Sequence, residues 1–251
     1  MKETFNKVYK FSNSWTGTVV IVLFVIFFVA QAFKIPSGSM KDSLLIGDHL
    51  FAKKFAYGIS MPHIPFLEMS IMPWSDKLRL VDGDTPQRGD IVIFRYPANV
   101  KQHFVKRCVA LPDDELFVAE KNLYIHFREG DEYIKEHYKD FEIVILEKKL
   151  WVKNPYTKQH PGIHHDEKIV NNGTYPMPLF FFNPFKVEKD HYFMMGDNRD
   201  HSNDSRFWGT VPYDNIEGTP WFVYFSVDEN WEIRWDRMGK TPSDLEESPY
   251  L

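Results

Sequence analysis

The chain has 251 residues, enough to bury one substantial core and a smaller appended unit. Hydrophobic residues make up 43% and charged residues 26%, the balance of a folded protein, and the 16% of aromatics suits β-structure and a surface that meets lipid. A net charge of −5 without a basic patch argues against nucleic acid as a partner, and a single cysteine, Cys108, excludes an internal disulfide framework.

Residues 1–10 carry Lys2, Lys7 and Lys10 against Glu3, and the 23 residues from 11 to 33 carry no charge. As one helix that run spans about 34 Å, enough for the hydrocarbon layer of a bilayer. It is predicted as a transmembrane anchor, with residues 1–10 in the cytoplasm and everything beyond Lys34 on the far side of the membrane. A cleaved signal peptide is the rival reading, since Ala30-Gln31-Ala32 has the small-x-small form of a cleavage site. The apolar run is longer than such peptides use, and it lacks the amphipathic stripe of a buried core helix.

Short β-like runs follow, separated by turns rich in Pro and Gly. They include Asp90-Ile-Val-Ile-Phe-Arg-Tyr96, His103-Phe-Val-Lys-Arg-Cys-Val-Ala-Leu111, Phe141-Glu-Ile-Val-Ile-Leu146 and Trp221-Phe-Val-Tyr-Phe-Ser-Val227. The expected fold is mainly β: an antiparallel core built from residues 34–113 and 191–251. Residues 114–190, rich in charge, His and Pro, read as a smaller and less regular lobe inserted between the two parts. From Met238 onward the chain is a polar, acidic tail, expected to be loose.

Three stretches carry candidate chemistry. The first, Lys34-Ile-Pro-Ser-Gly-Ser-Met40, places Ser39 six residues beyond Phe33, no more than about 20 Å away when fully extended. Chemistry at Ser39 would be tethered to the end of the apolar segment, although a Ser/Gly linker has the same composition. A serine nucleophile needs a base, and neither a Gly-x-Ser-x-Gly elbow nor a lysine one helical turn on is present; the ten histidines leave a Ser-His-Asp arrangement open. The second stretch holds Lys106 in an apolar strand whose alternation puts Phe104, Lys106 and Cys108 on one face and Val105, Arg107 and Val109 on the other. Strand lysines ordinarily point to solvent, but an inward one loses its proton readily because burial penalises the ammonium form. The third, Gly196-Asp-Asn-Arg-Asp-His-Ser-Asn-Asp-Ser-Arg206, combines a tight turn with acids and arginines. Asp200, Asp204, Arg199 and Arg206 are expected to form a buried ion-pair network around a serine such as Ser202, and the arginines argue against a cation site.

Ser37-Gly-Ser-Met40, Arg88-Gly-Asp-Ile-Val-Ile-Phe94, Val105-Lys-Arg107 and Gly196-Asp-Asn-Arg-Asp200, in this order after an apolar N-terminal segment, resemble the signature boxes of the bacterial type I signal peptidase family. The resemblance implies a membrane-bound Ser/Lys-dyad endopeptidase of the bacterial cytoplasmic membrane, with its catalytic domain on the outer face and no metal or other cofactor. It implies Ser39 as nucleophile, Lys106 as general base, Ser37 as an oxyanion-hole hydroxyl beside the Ser39 N–H, and Ser202 as the residue that orients the lysine amine. Asp197, Arg199, Asp204 and Arg206 would support the site, and Phe33, Ile35, Met40, Leu44, Phe104 and Val105 would shape shallow substrate pockets. The partners implied are the lipid bilayer and exported preproteins, cut after small residues of the Ala-x-Ala kind. Two departures stand out: Asp42-Ser43 where Pro-Thr is usual, and Ala110-Leu-Pro-Asp113 where a Gly-Leu-Pro-Gly turn is usual.

Other readings are a self-cleaving repressor-type protease with the same dyad and a membrane-tethered binding protein. A metalloenzyme built on His160, His164, His165 and Asp166 would rest on a loop that fits no strong zinc signature.

Overall fold

A computed structural model describes residues 2–61, 63–64, 69–70 and 79–246. The last part of the acidic tail, residues 247–251, lies outside the described residues.

The apolar N-terminal run does not form one helix. Lys2–Ser12 and Trp15–Phe24 are separate helices, Val25–Val29 is a π-helical turn, and Ala30–Lys34 is a β-strand. The break at residues 13–14 has a local cause. Ser12 and Ser14 donate their hydroxyls to the carbonyls of Tyr9 and Phe11, and Ser14 Oγ then accepts from Gly17 N–H as the N-cap of the next helix. The end at Val29 has a tertiary cause: Ala30–Lys34 pairs antiparallel with Asp48–Lys53, so its backbone groups are satisfied across a sheet. Residues 15–29 span about 22 Å as helix, and among the described residues no helix is long and apolar enough to cross a membrane.

The rest is mainly antiparallel β-structure. A seven-stranded sheet runs in the order Ala30–Lys34, Asp48–Lys53, Ile216–Ser226, Ile91–Tyr96, Asn99–Ala110, His191–Met195 and Val211–Pro212, every neighbour antiparallel. Gly89, at φ +94°, makes the turn that opens Ile91–Tyr96, a conformation an L side chain would strain. Residues 115–186 are more regular than their composition suggests. They build a five-stranded antiparallel sheet in the order Ile143–Leu146, Lys149–Lys153, Asn122–His126, Glu115–Ala119 and Phe181–Lys186.

The two sheets share apolar packing. Val109, Ala110, Phe193 and Met195 of the larger sheet are buried against Leu116, Leu123, Ile125 and Val152 of the smaller one. A second cluster lies under the nucleophile segment: Ile35, Met40 and Leu44 pack with Leu50, Ile91, Ile93 and Val223. The Met238-to-Glu246 part of the acidic tail is ordered against the sheet: Gly239 N–H donates to the Val223 carbonyl, and the short helix Pro242–Glu246 buries Leu245 in this cluster.

Candidate active site

Ser39 sits in the single 3-10 turn Gly38–Met40, a few residues beyond the edge strand Ala30–Lys34. The box around Gly196 holds this turn from beneath. Asn198 N–H donates to the Ser39 carbonyl at 3.1 Å, and Asn198 Nδ2 donates to the Gly38 carbonyl at 3.1 Å. Two bonds from one residue thus fix the backbone on both sides of the Gly38–Ser39 peptide. Close approach requires Gly196, because a Cβ there would stand 2.5 Å from the Ser39 carbonyl oxygen and 2.3 Å from Ser202 Oγ.

Lys106 lies on Asn99–Ala110 opposite Val92 and is only 4% exposed, so it departs from the ordinary outward strand lysine. Its Nζ is 2.5 Å from Ser39 Oγ and 5.5 Å from the centre of the Phe104 ring. Burial pushes the Lys106 pKa down from 10.5 to about 8; Asp204 and Asp197 oppose that fall and Arg206 adds to it. An amine in this state is uncharged in about a tenth of molecules at pH 7 and about half at pH 8, and the neutral form can accept a proton from the hydroxyl it faces. The Ser37 hydroxyl stands 3.4 Å from Ser39 Oγ on the exposed side.

The acids and arginines form separate pairs rather than the single network expected from the sequence. Arg206 makes a two-pronged contact with Asp204, 2.8 Å on each side, and Asp204 also accepts from Gly196 N–H at 3.1 Å. Burial raises the Asp204 pKa, but Arg206 outweighs it and holds the carboxyl below its ordinary range. Asp200 turns away to Lys121, at 2.6 Å, and to His165. Arg199 is buried with no carboxylate in ion-pair range among the described residues, and burial together with Arg206 lowers its pKa to about 10. Ser202 is buried too, but its Oγ makes no hydrogen bond to the Lys106 amine, so the expected contact is not formed.

The partner of Asp197 is Arg107, whose Nε and Nη2 donate to it at 2.8 and 2.7 Å. Ser43 Oγ adds a third bond at 2.6 Å, so the serine at the atypical Asp42-Ser43 pair anchors the box carboxylate. Asp42 takes a left-handed φ of +74° and meets His164 at 3.2 Å. Of the six expected pocket residues, Phe33, Ile35, Met40, Leu44 and Val105 converge, whereas Phe104 belongs to the adjoining cluster and stacks on Tyr96. Met40 and Leu44 are fully buried, so they back the pocket wall and leave its surface to Phe33 and Val105.

The imagined metal ligands scatter. His160 goes to Glu246, His164 to Asp42, His165 to Asp200 and Asp166 to His201, and no cluster suited to a metal occurs among the described residues. Cys108 is fully buried, and burial pushes its thiol well above the ordinary pKa. Sequence reasoning does not find Arg107, Asn198 or Glu246 as parts of the site. For Asn198 and Arg107 the only signal is their place inside the boxes; for Glu246 there is none.

The family model for signal peptidase, peptidase S26 matches residues 8–225. A signal peptidase I of Helicobacter pylori is 42% identical, with 95% of this chain and 94% of that protein aligned. A signal peptidase I of Pseudomonas fluorescens is 35% identical over 88% of this chain and 73% of its own length. A crystal structure of a signal peptidase I from Enterococcus faecalis covers 54% of this chain at 24% identity with a TM-score of 0.33. The family match along most of the chain, with relatives above 30% identity that it covers over more than two thirds of their length, means that the chain belongs to the signal peptidase, peptidase S26 family and is a serine endopeptidase.

Proposed function

We propose that this endopeptidase removes signal peptides from exported preproteins through an acyl-enzyme formed on Ser39, with Lys106 as general base. The observation that carries the reading is the 2.5 Å approach of a buried amine, its pKa lowered to about 8 by burial, to the hydroxyl of a serine on a tightly held turn. As Ser39 Oγ bonds to the substrate carbonyl carbon, the neutral Lys106 amine takes the hydroxyl proton. The Ser39 N–H and the Ser37 hydroxyl stabilise the oxyanion, an effect typically worth about 3 kcal/mol per donor. Collapse breaks the C–N bond, and the Lys106 ammonium gives its proton to the leaving amine. Water then attacks the ester with Lys106 again taking a proton, which releases the carboxylate and restores Ser39.

Substrate would lie extended against the open side of Asn99–Ala110. Residues before 107 on that strand pair on one side only among the described residues, with Ile91–Tyr96. Phe33 and Val105 would then face the side chains before the cut, with Ile35, Met40 and Leu44 behind them, and a shallow apolar wall favours small groups such as those of Ala-x-Ala. Residues 34–113 and 191–251 form the catalytic core in this reading, with 114–190 as an inserted lobe. Residues 11–29 embed in the bacterial cytoplasmic membrane, with 1–10 cytoplasmic and the catalytic core, which takes in the strand Ala30–Lys34, outside. Supports for that placement are the lysines at 2, 7 and 10, the exposed apolar residues from Val19 to Val25, and the exposed Trp231 and Trp235.

The test is incubation of the purified chain with an exported precursor and mapping of the new N-terminus. Ser39→Ala should abolish processing with the fold intact. A Ser39→Ala protein that still cuts would refute the nucleophile.

A further inference from the structure

Arg107 follows Lys106 directly in its strand, is 1% exposed, and has more partners than charge balance requires. Asp197 alone neutralises the guanidinium through Nε and Nη2. Yet Nη2 also donates to Glu246 Oε1 at 2.5 Å, across 139 residues of sequence. The third nitrogen, Nη1, donates to the Gly89 carbonyl at 2.6 Å and meets His160 Nδ1 at 3.0 Å. His160 Nδ1 in turn lies 2.6 Å from Glu246 Oε2, closing a ring of Arg107, Glu246 and His160. These groups come from the sheet strand, the Pro242–Glu246 helix and the 115–186 segment, so three parts of the chain meet behind the dyad.

A second buried carboxylate is weak evidence for stability, since stripping its water costs about as much as the pairing returns. Its effect is geometric. Each Nη2 proton now has a fixed direction, one to Asp197 and one to Glu246, and this locks the rotation of the guanidinium and of the carboxylate bound to it. The residue after Asp197 is Asn198, whose two bonds hold the Gly38–Ser39 peptide. Without Glu246, one buried Nη2 proton would be left without its acceptor. The guanidinium would turn toward Ser43 Oγ, already 3.5 Å away, and tilt Asp197 with it.

We propose that Glu246 is a positioning residue for peptide cleavage: through Arg107 it fixes the Gly196–Asn198 turn and thereby the orientation of Ser39 toward Lys106. The inference rests on the Ser39–Lys106 reading and gives the C-terminal helix a part in it. Loss of this brace should act on the chemical step and leave substrate binding alone, since the Glu246 carboxylate bonds Arg107 and His160 and neither Ser39 nor Lys106. Small displacements of a reacting group cost up to about a hundredfold in rate, so a loss of about tenfold is expected.

The experiment compares full-length Glu246→Leu and Glu246→Gln with the parent on an exported precursor. Active sites are counted with a covalent serine probe, so that unfolded molecules do not enter the rate. Glu246→Leu should lower kcat per active site about tenfold at unchanged KM. Glu246→Gln, which keeps an acceptor oxygen for Arg107, should fall between it and the parent. Unchanged kcat per active site in Glu246→Leu, whatever its melting temperature, overturns the proposal; so does a rise in KM alone. If Glu246→Leu yields no titratable enzyme, Glu246→Gln carries the test, and a parental kcat there overturns it. Ser39→Ala run alongside keeps the two questions apart: processing by that variant defeats the dyad itself, whereas inactive Ser39→Ala beside a fully active Glu246→Leu defeats only the role of Glu246.

Discussion

Replacing Lys106 by methionine should remove activity and make the protein more stable. The folded state holds this amine where burial lowers its pKa from 10.5 to about 8. At about 1.4 kcal/mol per pH unit, that fall corresponds to about 3 kcal/mol of destabilisation carried by the native state. Below pH 8 the lysine is protonated in folded and unfolded chains alike, and the folded state bears the whole cost. Between pH 8 and 10.5 the folded amine is neutral while the unfolded chain still binds a proton, so the cost shrinks as pH rises and is gone above 10.5. Methionine has similar length, no charge to desolvate, and an apolar neighbour in Phe104. Set against the gain is the lost contact with Ser39 Oγ, worth about 1 kcal/mol. Lys106→Met should therefore be about 2 kcal/mol more stable than the parent at pH 7, with the difference largely gone by pH 10. Urea unfolding at the two pH values, followed by tryptophan fluorescence, measures it. A variant less stable than the parent at pH 7 would show that the amine carries no burial cost, and a variant that still processes precursor would exclude it as the base.

Two further outcomes follow from the same geometry. Processing should rise with pH through about 8 as the Lys106 amine loses its proton, and a pH–rate profile flat from 6 to 9 would assign the base elsewhere. Gly196→Ala sets a Cβ 2.5 Å from the Ser39 carbonyl oxygen and 2.3 Å from Ser202 Oγ, so backbone must shift. It should cost about 1–3 kcal/mol in thermal unfolding and suppress probe labelling of Ser39; unimpaired labelling would show that the contact relaxes freely.

The N-terminal segment shows where local pattern misleads. From Phe11 to Phe33 nothing in the residue types marks an end at Val29, and an uncharged run of this length reads as one helix. The end comes from Asp48–Lys53, a partner strand that offers backbone hydrogen bonds to Ala30–Lys34. Only the earlier break carried a local signal, in the hydroxyls of Ser12 and Ser14. The 114–190 region misleads in the opposite sense. Its charge and proline content suggest irregular chain, yet Leu116, Val118, Leu123 and Ile125 alternate in period two and bury one face of a regular sheet.

Period-two alternation made the strands near 91–96 and 103–110 legible, because a sheet's two faces are written into every second residue. The order of four short boxes was enough to suggest a family, and the family match along residues 8–225 bears that out. What alternation could not decide is which way Lys106 and Arg107 point, since adjacent basic residues on a strand must face opposite sides and only one was expected inside. Both are buried, because each side of the strand there is covered: one by the Ser39 turn, the other by Asp197 and Glu246. Burial of a charge depends on what the rest of the chain stacks over it. Local residue types therefore determined the strands and the boxes, while the state of the amine, the pairing of the arginines and the reach of Glu246 across 139 residues were decided only when distant segments closed around them.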